Sequence, residues 1–113
     1  MKIKTNEIKD WKIVEIKGNL IARKLPVLNM QLEKIKNDDR FNIAFDMSSI
    51  PYIDSSAITW LINLRSKIIK KGKKLAVFGA NSEVKSVFSI VGMEELIDIY
   101  PVKEDLLETI DGE

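Results

Sequence analysis

Hydrophobic and polar residues alternate along this chain with two different periods, and each period predicts a different kind of element. Two runs near the N terminus alternate every second residue and contain β-branched side chains, which predicts a hairpin with strands near residues 2–9 and 11–17. Apolar residues at positions 25, 28, 32 and 35 form a helical stripe. The apolar run at 41–45 is typical of a central strand that is covered on both faces.

The second half of the chain repeats this order of strand and helix. A broad apolar stripe after Asp54 predicts a long helix that stops at Gly72, and residues 75–78 predict another buried strand. A helix capped by Asn81 or Ser82, a short strand near 97–100 and a helix near 103–110 follow. The pattern predicts one α/β domain over residues 1–113, with a mixed sheet of four to five strands and about four helices.

Composition narrows the possible chemistry. The 113 residues carry a formal net charge of +1, and 45% of them are hydrophobic, as in an ordinary soluble domain. The chain has no apolar run long enough to span a membrane and no apolar segment of a signal peptide, so we expect a cytoplasmic protein without membrane contact. It contains neither histidine nor cysteine, which removes Ser-His-Asp triads, ordinary zinc sites and disulfides. A Ser-Lys nucleophilic pair is formally compatible with the composition, but nothing in the sequence places a particular lysine beside Ser56. We therefore expect no enzyme, no catalytic residue, no metal and no cofactor.

Six basic residues and no acidic residue lie between positions 65 and 74. Such a stretch can bind nucleic acid, but cations at the end of a helix are also stabilised by the helix dipole. The stretch has no interleaved aromatic residues on which bases could stack, and the net charge adds no support. We expect no direct contact with nucleic acid.

The segment from Phe45 to Leu64 carries the most distinctive chemistry. A buried strand ends in Asp46, a connector contains Pro51, and Asp54-Ser55-Ser56 stands directly before the long helix. Asp and Ser are favoured N-cap residues, because their side-chain oxygens accept hydrogen bonds from the free N–H groups of the first turn. The cluster therefore predicts a helix N terminus, which is a favourable place for negative charge such as a phosphate. A simple helix cap explains the same residues.

Several motifs in their order along the chain resemble the STAS domain of anti-sigma factor antagonists. The residues that carry the resemblance are Ile43–Asp46, Ile53-Asp54-Ser55-Ser56-Ala57-Ile58, Gly72-Lys73-Lys74-Leu75 and Val91-Gly92-Met93. In that family a D-S-S-G or D-S-[ST]-G motif opens a helix, and its second hydroxyl residue is the regulatory phosphorylation site. The resemblance implies that Ser56 is phosphorylated here. It also implies two partners, an anti-sigma factor that is itself a serine kinase and a serine phosphatase that reverses the modification.

The chain departs from the family pattern at two places. The family has an acidic residue after the glycine that ends the second strand, whereas this chain has Gly18-Asn19-Leu20-Ile21. The family glycine after the second hydroxyl residue is Ala57 here, which adds a methyl group where a partner would approach. The first departure affects polar contacts at that loop, and the second affects how closely a kinase or partner can approach Ser56.

The resemblance suggests further roles around Ser56. We expect Asp54, Ser55 and Asp46 to support the site by capping and positioning. We expect exposed apolar residues beside it to form part of the partner surface, and the candidates are Tyr52, Ile53, Ala57 and Met93. Tyr52 is the strongest candidate, because aromatic residues are concentrated in binding hot spots. Ile53 fits a place in the core equally well.

Two other functions compete with this interpretation. Asp46 ends a strand, as does the phosphorylated aspartate of response-regulator receivers, but the loop after the second strand lacks the acidic pair that would hold magnesium. The first alternative is therefore a receiver domain that is phosphorylated on Asp46. The second alternative is a STAS scaffold that belongs to a larger signalling assembly or binds a small ligand. No glycine-rich phosphate-binding loop supports a nucleotide role. The scaffold is the main alternative.

Overall fold

The computed structural model describes residues 1–112 and has the predicted α/β architecture with a mixed sheet. Glu113, the last residue of the predicted domain, lies outside the described residues. The five strands are β1 (Lys2–Ile8), β2 (Trp11–Lys17), β3 (Asn42–Asp46), β4 (Leu75–Phe78) and β5 (Asp98–Tyr100). The four α-helices are α1 (Leu25–Lys36), α2 (Ser55–Lys70), α3 (Ser82–Ile90) and α4 (Lys103–Asp111). Two short 3₁₀ turns occupy Ala22–Lys24 and Met93–Glu95.

The sheet follows the order of the chain, β1-β2-β3-β4-β5. The hairpin of β1 and β2 is antiparallel, and every later pair of neighbouring strands is parallel. Each parallel pair needs a helical crossover, and α1, α2 and α3 supply them. The carboxyl ends of the parallel strands therefore share one edge, and the loops that enter α1, α2 and α3 begin there.

Alternating strand residues face two separate cores. Ile43, Phe45 and Val77 pack with the apolar faces of α1, α2 and α3 on one side of the sheet. Ala44 and Ala76 face the other side, where they pack with Leu106 and Ile110 of α4 and with Trp11, Ile13 and Phe78. The apolar run at 41–45 thus belongs to a strand covered on both faces, as the sequence predicts.

The helix boundaries agree with the local signals in the sequence. Asp54 is the N-cap of α2 and Asn81 is the N-cap of α3, each with a side chain that accepts a hydrogen bond from the first turn. The α2 helix ends at Lys70, and Gly72 has a positive φ of 74° just beyond it, a conformation that glycine adopts without strain. These ends fix which residues of α2 lie at the carboxyl edge of the sheet.

Candidate functional site

Two loops lie side by side at the carboxyl ends of β2 and β3 and place the start of α2. The backbone N–H of Gly18 donates to the carbonyl of Ser49 at 3.0 Å, and that of Leu20 donates to Tyr52 at 2.9 Å. Leu20 also forms an isolated parallel bridge with Ile53. Because the loop before α2 is paired with a second loop, the helix N terminus is held in place.

Asp54 joins these two loops to the helix through both of its carboxylate oxygens. Its Oδ1 accepts a hydrogen bond from the backbone N–H of Ala57 at 3.2 Å, which is the N-cap bond of α2. Its Oδ2 accepts from the backbone N–H of Ala22 at 3.0 Å. The predicted capping by Asp54 is confirmed, and the contact with Ala22 is an addition that sequence reasoning missed.

Ser55 and Ser56 occupy the first two helical positions after this cap. Ser55 is exposed and Ser56 is partly exposed. The carbonyl of Ser55 accepts a hydrogen bond from the Thr59 hydroxyl at 3.5 Å. Among residues 1–112 the cap side chain bonds only to Ala57 within this turn, so it leaves the amides of Ser55 and Ser56 free to face an anion. The two hydroxyl groups therefore lie at a helix N terminus, where negative charge is in general stabilised.

Asp46 lies at the same edge of the sheet but is not brought against Ser56. Its Oδ1 accepts hydrogen bonds from the backbone N–H of Ser48 at 2.9 Å and from the Ser48 hydroxyl at 2.7 Å. Gly79 lies close by with a φ of 77°, and a Cβ there would lie 3.4 Å from Asp46 Oδ1 and 3.3 Å from Ser48 Cβ. Asp46 thus shapes the start of the loop that leads to α2, so any support that it gives to Ser56 is indirect.

Asn81 fixes the same loop from the side of α3. Its Oδ1 accepts a hydrogen bond from the backbone N–H of Val84 at 2.8 Å, which is the cap that the sequence predicts. Its Nδ2 donates to the carbonyl of Pro51 at 3.0 Å. The second contact spans 30 residues, so the local sequence gives no sign of it. Asn19 lies in the loop after β2, where the family pattern has an acidic residue. Its Oδ1 is buried and has no hydrogen-bond partner among the described residues.

The four candidates for a partner surface differ sharply in exposure. Tyr52 has 52% of its surface exposed, and it lines a small cleft of about 110 Å³ with Ile53, Glu83, Val84 and Val87. In contrast, Ile53, Ala57 and Met93 are 3%, 0% and 0% exposed. The expectation of exposure is wrong for Ala57 and Met93, and of the two alternatives for Ile53 the structure has the place in the core.

The burial of each has its own physical reason. Ile53 pairs with Leu20 between the two loops, which turns its side chain into the core. Ala57 lies on the inward face of the first turn of α2, so its methyl group does not stand where a partner would approach. Met93 begins a 3₁₀ turn that packs its side chain into the same core. Tyr52 alone of the four presents an apolar surface to solvent.

The part of the chain that the structure describes gives no sign of a metal centre or a membrane span. No group of three or more Asp or Glu side chains within residues 1–112 is placed to hold a metal ion. No helix in the same range is long and apolar enough to cross a membrane.

Comparison with known proteins points to one family. The family model for the STAS domain matches residues 2–106 of this chain. A curated relative is the anti-sigma-B factor antagonist of Staphylococcus epidermidis, which is 19% identical over 99 residues and aligns with 88% of this chain and 92% of its own length.

Solved structures share the fold at low sequence identity. An anti-sigma factor antagonist from Mycobacterium paratuberculosis superposes with a TM-score of 0.86 at 15% identity, over 97% of this chain and 93% of its own. The Bacillus cell fate determinant SpoIIAA in its phosphorylated form gives a TM-score of 0.70 at 9% identity, over 96% and 99% of the two chains. The murine anion transporter Slc26a9 matches with a TM-score of 0.82 at 21% identity, over 96% of this chain but 19% of its own length. Since the family model spans most of the chain, this protein belongs to the STAS domain family.

Proposed function

We propose that this protein is an anti-sigma factor antagonist whose binding to its partner is switched by phosphorylation of Ser56. The observation that carries the proposal is the position of this hydroxyl, which is partly exposed in the first turn of a helix whose cap is occupied by Asp54. A curated relative of similar length is an antagonist of anti-sigma-B factor, and SpoIIAA has a solved phosphorylated form. Both agree with a small regulatory binding protein.

The unphosphorylated form would bind an anti-sigma factor that is also a serine kinase, and so free a sigma factor. A phosphoserine adds about −1.5 to −2 charges at neutral pH. Docking would strip water from that charge and hold it near the Asp54 carboxylate, which weakens the complex. In the free protein, the amides and dipole at the start of α2 offset part of the repulsion. The switch therefore acts through charge and requires no unfolding, and a serine phosphatase would reverse it.

Ser56 is favoured over Ser55 by motif and not by accessibility. Ser55 is the more exposed of the two, so a kinase that selected only by exposure would modify Ser55. Ser56 holds the position of the second hydroxyl residue in the family motif. The choice between the two neighbours therefore needs a direct measurement.

The test is mass spectrometry of the protein produced in its native host as wild type, Ser55→Ala and Ser56→Ala. We expect one added phosphate on wild type and on Ser55→Ala, located on Ser56 by tandem fragmentation, and none on Ser56→Ala. Phosphate on Ser55 alone would contradict the site assignment. An unmodified wild-type protein in both growing and stressed cells would contradict the phosphorylation switch itself.

A STAS scaffold remains the second candidate, and the comparison with Slc26a9 favours it specifically. There the same fold makes up about a fifth of a much larger chain, so the fold also occurs within larger proteins. A scaffold would be recovered in a stable assembly and without phosphate. Size-exclusion chromatography of the native-host protein beside the mass measurement separates the two.

A further inference from the structure

A cleft between the C-terminal turns of α1 and α2 gathers lysines that the proposed switch does not use. A cavity of about 310 Å³ is lined by Lys36, Lys67, Lys70 and Lys71, together with Glu33 and Asn37. Lys67 lies eleven residues after Ser56 in α2, which places it about 16 Å further along the helix axis. The cleft is therefore at the opposite end of the helix from Ser56.

Two of the four lysines already have partners among the described residues. The ammonium of Lys71 donates to the carbonyl of Lys36 and lies 3.3 Å from a carboxylate oxygen of Asp39. The ammonium of Lys36 lies 3.8 Å from Glu33. The contacts of Lys71 tie the end of α2 to the end of α1 and to Asp39, whereas the pair of Lys36 with Glu33 lies within α1.

The other two lysines have no such partner. Within residues 1–112, no carboxylate lies within ion-pair distance of Lys67 or Lys70, and both side chains are exposed. Asp38 does not compensate them, because its carboxylate is paired with Arg40 at 2.8 Å. The hydrogen bonds of this pair also lower the pKa of the Asp38 carboxyl group to about 2. The cleft therefore offers two unpaired cations beside two paired ones.

The helix dipoles account for part of this charge and not for all of it. Two helix C termini supply about one negative elementary charge between them. The carboxylates of Glu33 and Asp39 supply two further negative charges. The four ammonium groups therefore leave a net charge of about +1 in and around the cleft. Within a cleft of this size, screening at physiological salt is incomplete, because the Debye length is about 8 Å. An anion in the cleft would therefore meet a net positive charge, contributed mainly by Lys67 and Lys70.

A second cavity of about 250 Å³ continues the cleft along the two helices. It shares Lys36 and Lys67 with the first and is also lined by Asn29, Trp60, Asn63 and Leu64. The side-chain oxygen of Asn29 accepts a hydrogen bond from the Trp60 indole at 2.7 Å. This neighbouring space has amide groups and an apolar floor, so it can take the uncharged part of a ligand.

We propose that the cleft between α1 and α2 binds a small molecule that carries two or more phosphate groups. Lysine ammonium groups bind phosphates as point charges, and Lys67 and Lys70, which have no carboxylate partner, can each face one phosphate group. The cavity volume lies at the lower end of the range for small-molecule sites. Nucleic acid fits less well, because Trp60 is only 8% exposed and gives bases no stacking platform.

The test is calorimetric titration of the full chain with sodium pyrophosphate at physiological salt. The variant Lys67→Gln/Lys70→Gln removes the two unpaired cations and keeps side chains of similar length. The control Lys2→Gln/Lys85→Gln makes the same change in net charge at exposed residues outside the cleft. We expect the first variant to lose affinity at least tenfold and the control to change less than twofold. The Trp60 indole signal in proton–nitrogen NMR spectra should shift during titration of the wild type.

Three results would overturn the proposal. The first is the absence of saturable pyrophosphate binding to the wild type, and the second is an equal loss of affinity in the two double variants. The third is that the wild type binds duplex DNA or vesicles containing phosphatidylserine more tightly than pyrophosphate, and that the Lys67→Gln/Lys70→Gln variant abolishes this binding. The last result would assign the lysines to a macromolecular surface. Ser56→Ala should bind pyrophosphate as wild type does, so the outcome is independent of the phosphorylation switch.

Discussion

The Asp54 carboxylate accepts a hydrogen bond from the backbone of Ala22, 32 residues earlier in the chain, while its other oxygen caps α2. One side chain thus holds the loop after β2, the loop after β3 and the start of the helix that carries Ser56. This contact makes the geometry of the candidate site depend on two separate parts of the chain.

Two substitutions of Asp54 distinguish the contribution of its cap bond to Ala57 from that of its bond to Ala22. We expect Asp54→Ala to lower the free energy of unfolding by about 2 kcal/mol, since both the cap and the bond to Ala22 are lost. Asp54→Asn should cost only about 1 kcal/mol, because asparagine caps as well as aspartate but has a single acceptor oxygen. Urea denaturation of the three proteins measures this. Equal midpoints for Asp54→Asn and wild type would mean that the contact with Ala22 adds no stability.

The distance between partners along the chain explains what the sequence could predict at this site. The cap of Asp54 on Ala57 is visible because its partner lies three residues away. The contacts with Ala22 and from Asn81 to Pro51 cross 32 and 30 residues, and no local pattern encodes them. Strands and helices were predictable for the same reason, since hydrophobic periodicity is a local signal.

Burial in loops was the least predictable property. Ile53 and Met93 stand outside the regular strands and helices, so no period assigns their side chains to a face. Ile53 is buried because it pairs with Leu20. Met93 is buried because its 3₁₀ turn packs into the core. The position of Ala57 in the family motif does not indicate its face, whereas the first turn of α2 directs its side chain into the core.

The buried methyl group of Ala57 leads to a second prediction. Replacement by the glycine of the family motif should lower stability by about 1–2 kcal/mol, from lost helix propensity and a lost buried methyl group. Partner affinity should change less than twofold, because the methyl group points into the core. Chemical denaturation and calorimetry measure the two effects.

Ser66→Gly is the matched control, since Ser66 is exposed in the same helix and reports mainly the backbone cost. Its loss of stability should be smaller than that of Ala57→Gly. A marked gain in partner affinity for Ala57→Gly would show that the methyl group does obstruct docking, contrary to its position here.

Tyr52 is the remaining apolar candidate for the partner surface. Tyr52→Ala should weaken binding to the cognate anti-sigma factor at least tenfold, since exposed aromatic residues near an interface centre carry much of the binding energy. Stability should be nearly unchanged, because 52% of the side chain is already in water. Ile69→Ala is the control, because Ile69 is similarly exposed at 48% but lies near the C-terminal end of α2, away from Ser56. Equal affinity of both variants and wild type would place the partner surface elsewhere.

The last prediction tests the charge at Ser56. Ser56→Asp should weaken binding to the cognate anti-sigma factor, because an anion without a partner must lose its water when the surfaces meet, at a cost of several kcal/mol for full burial. Each 1.4 kcal/mol corresponds to a factor of ten, so we expect a loss of roughly a hundredfold for true phosphorylation. Aspartate is shorter and carries less charge, so its effect should be smaller. The fold should persist, because an acidic residue in a first helical turn is favourable.

Calorimetric titration of wild type, Ser56→Asp and the phosphorylated protein against the same partner gives the three affinities. Ser56→Ala is the matched control, because it removes the hydroxyl group without adding charge and should bind as wild type does while resisting modification. If Ser56→Ala weakened binding as much as Ser56→Asp, the hydroxyl group would itself be a contact and charge would not be the cause. If wild type, Ser56→Asp and the phosphorylated protein all bound equally, phosphorylation could not act as a switch at this surface. The scaffold would then be the function that remains, since it requires the fold and not the charge at Ser56.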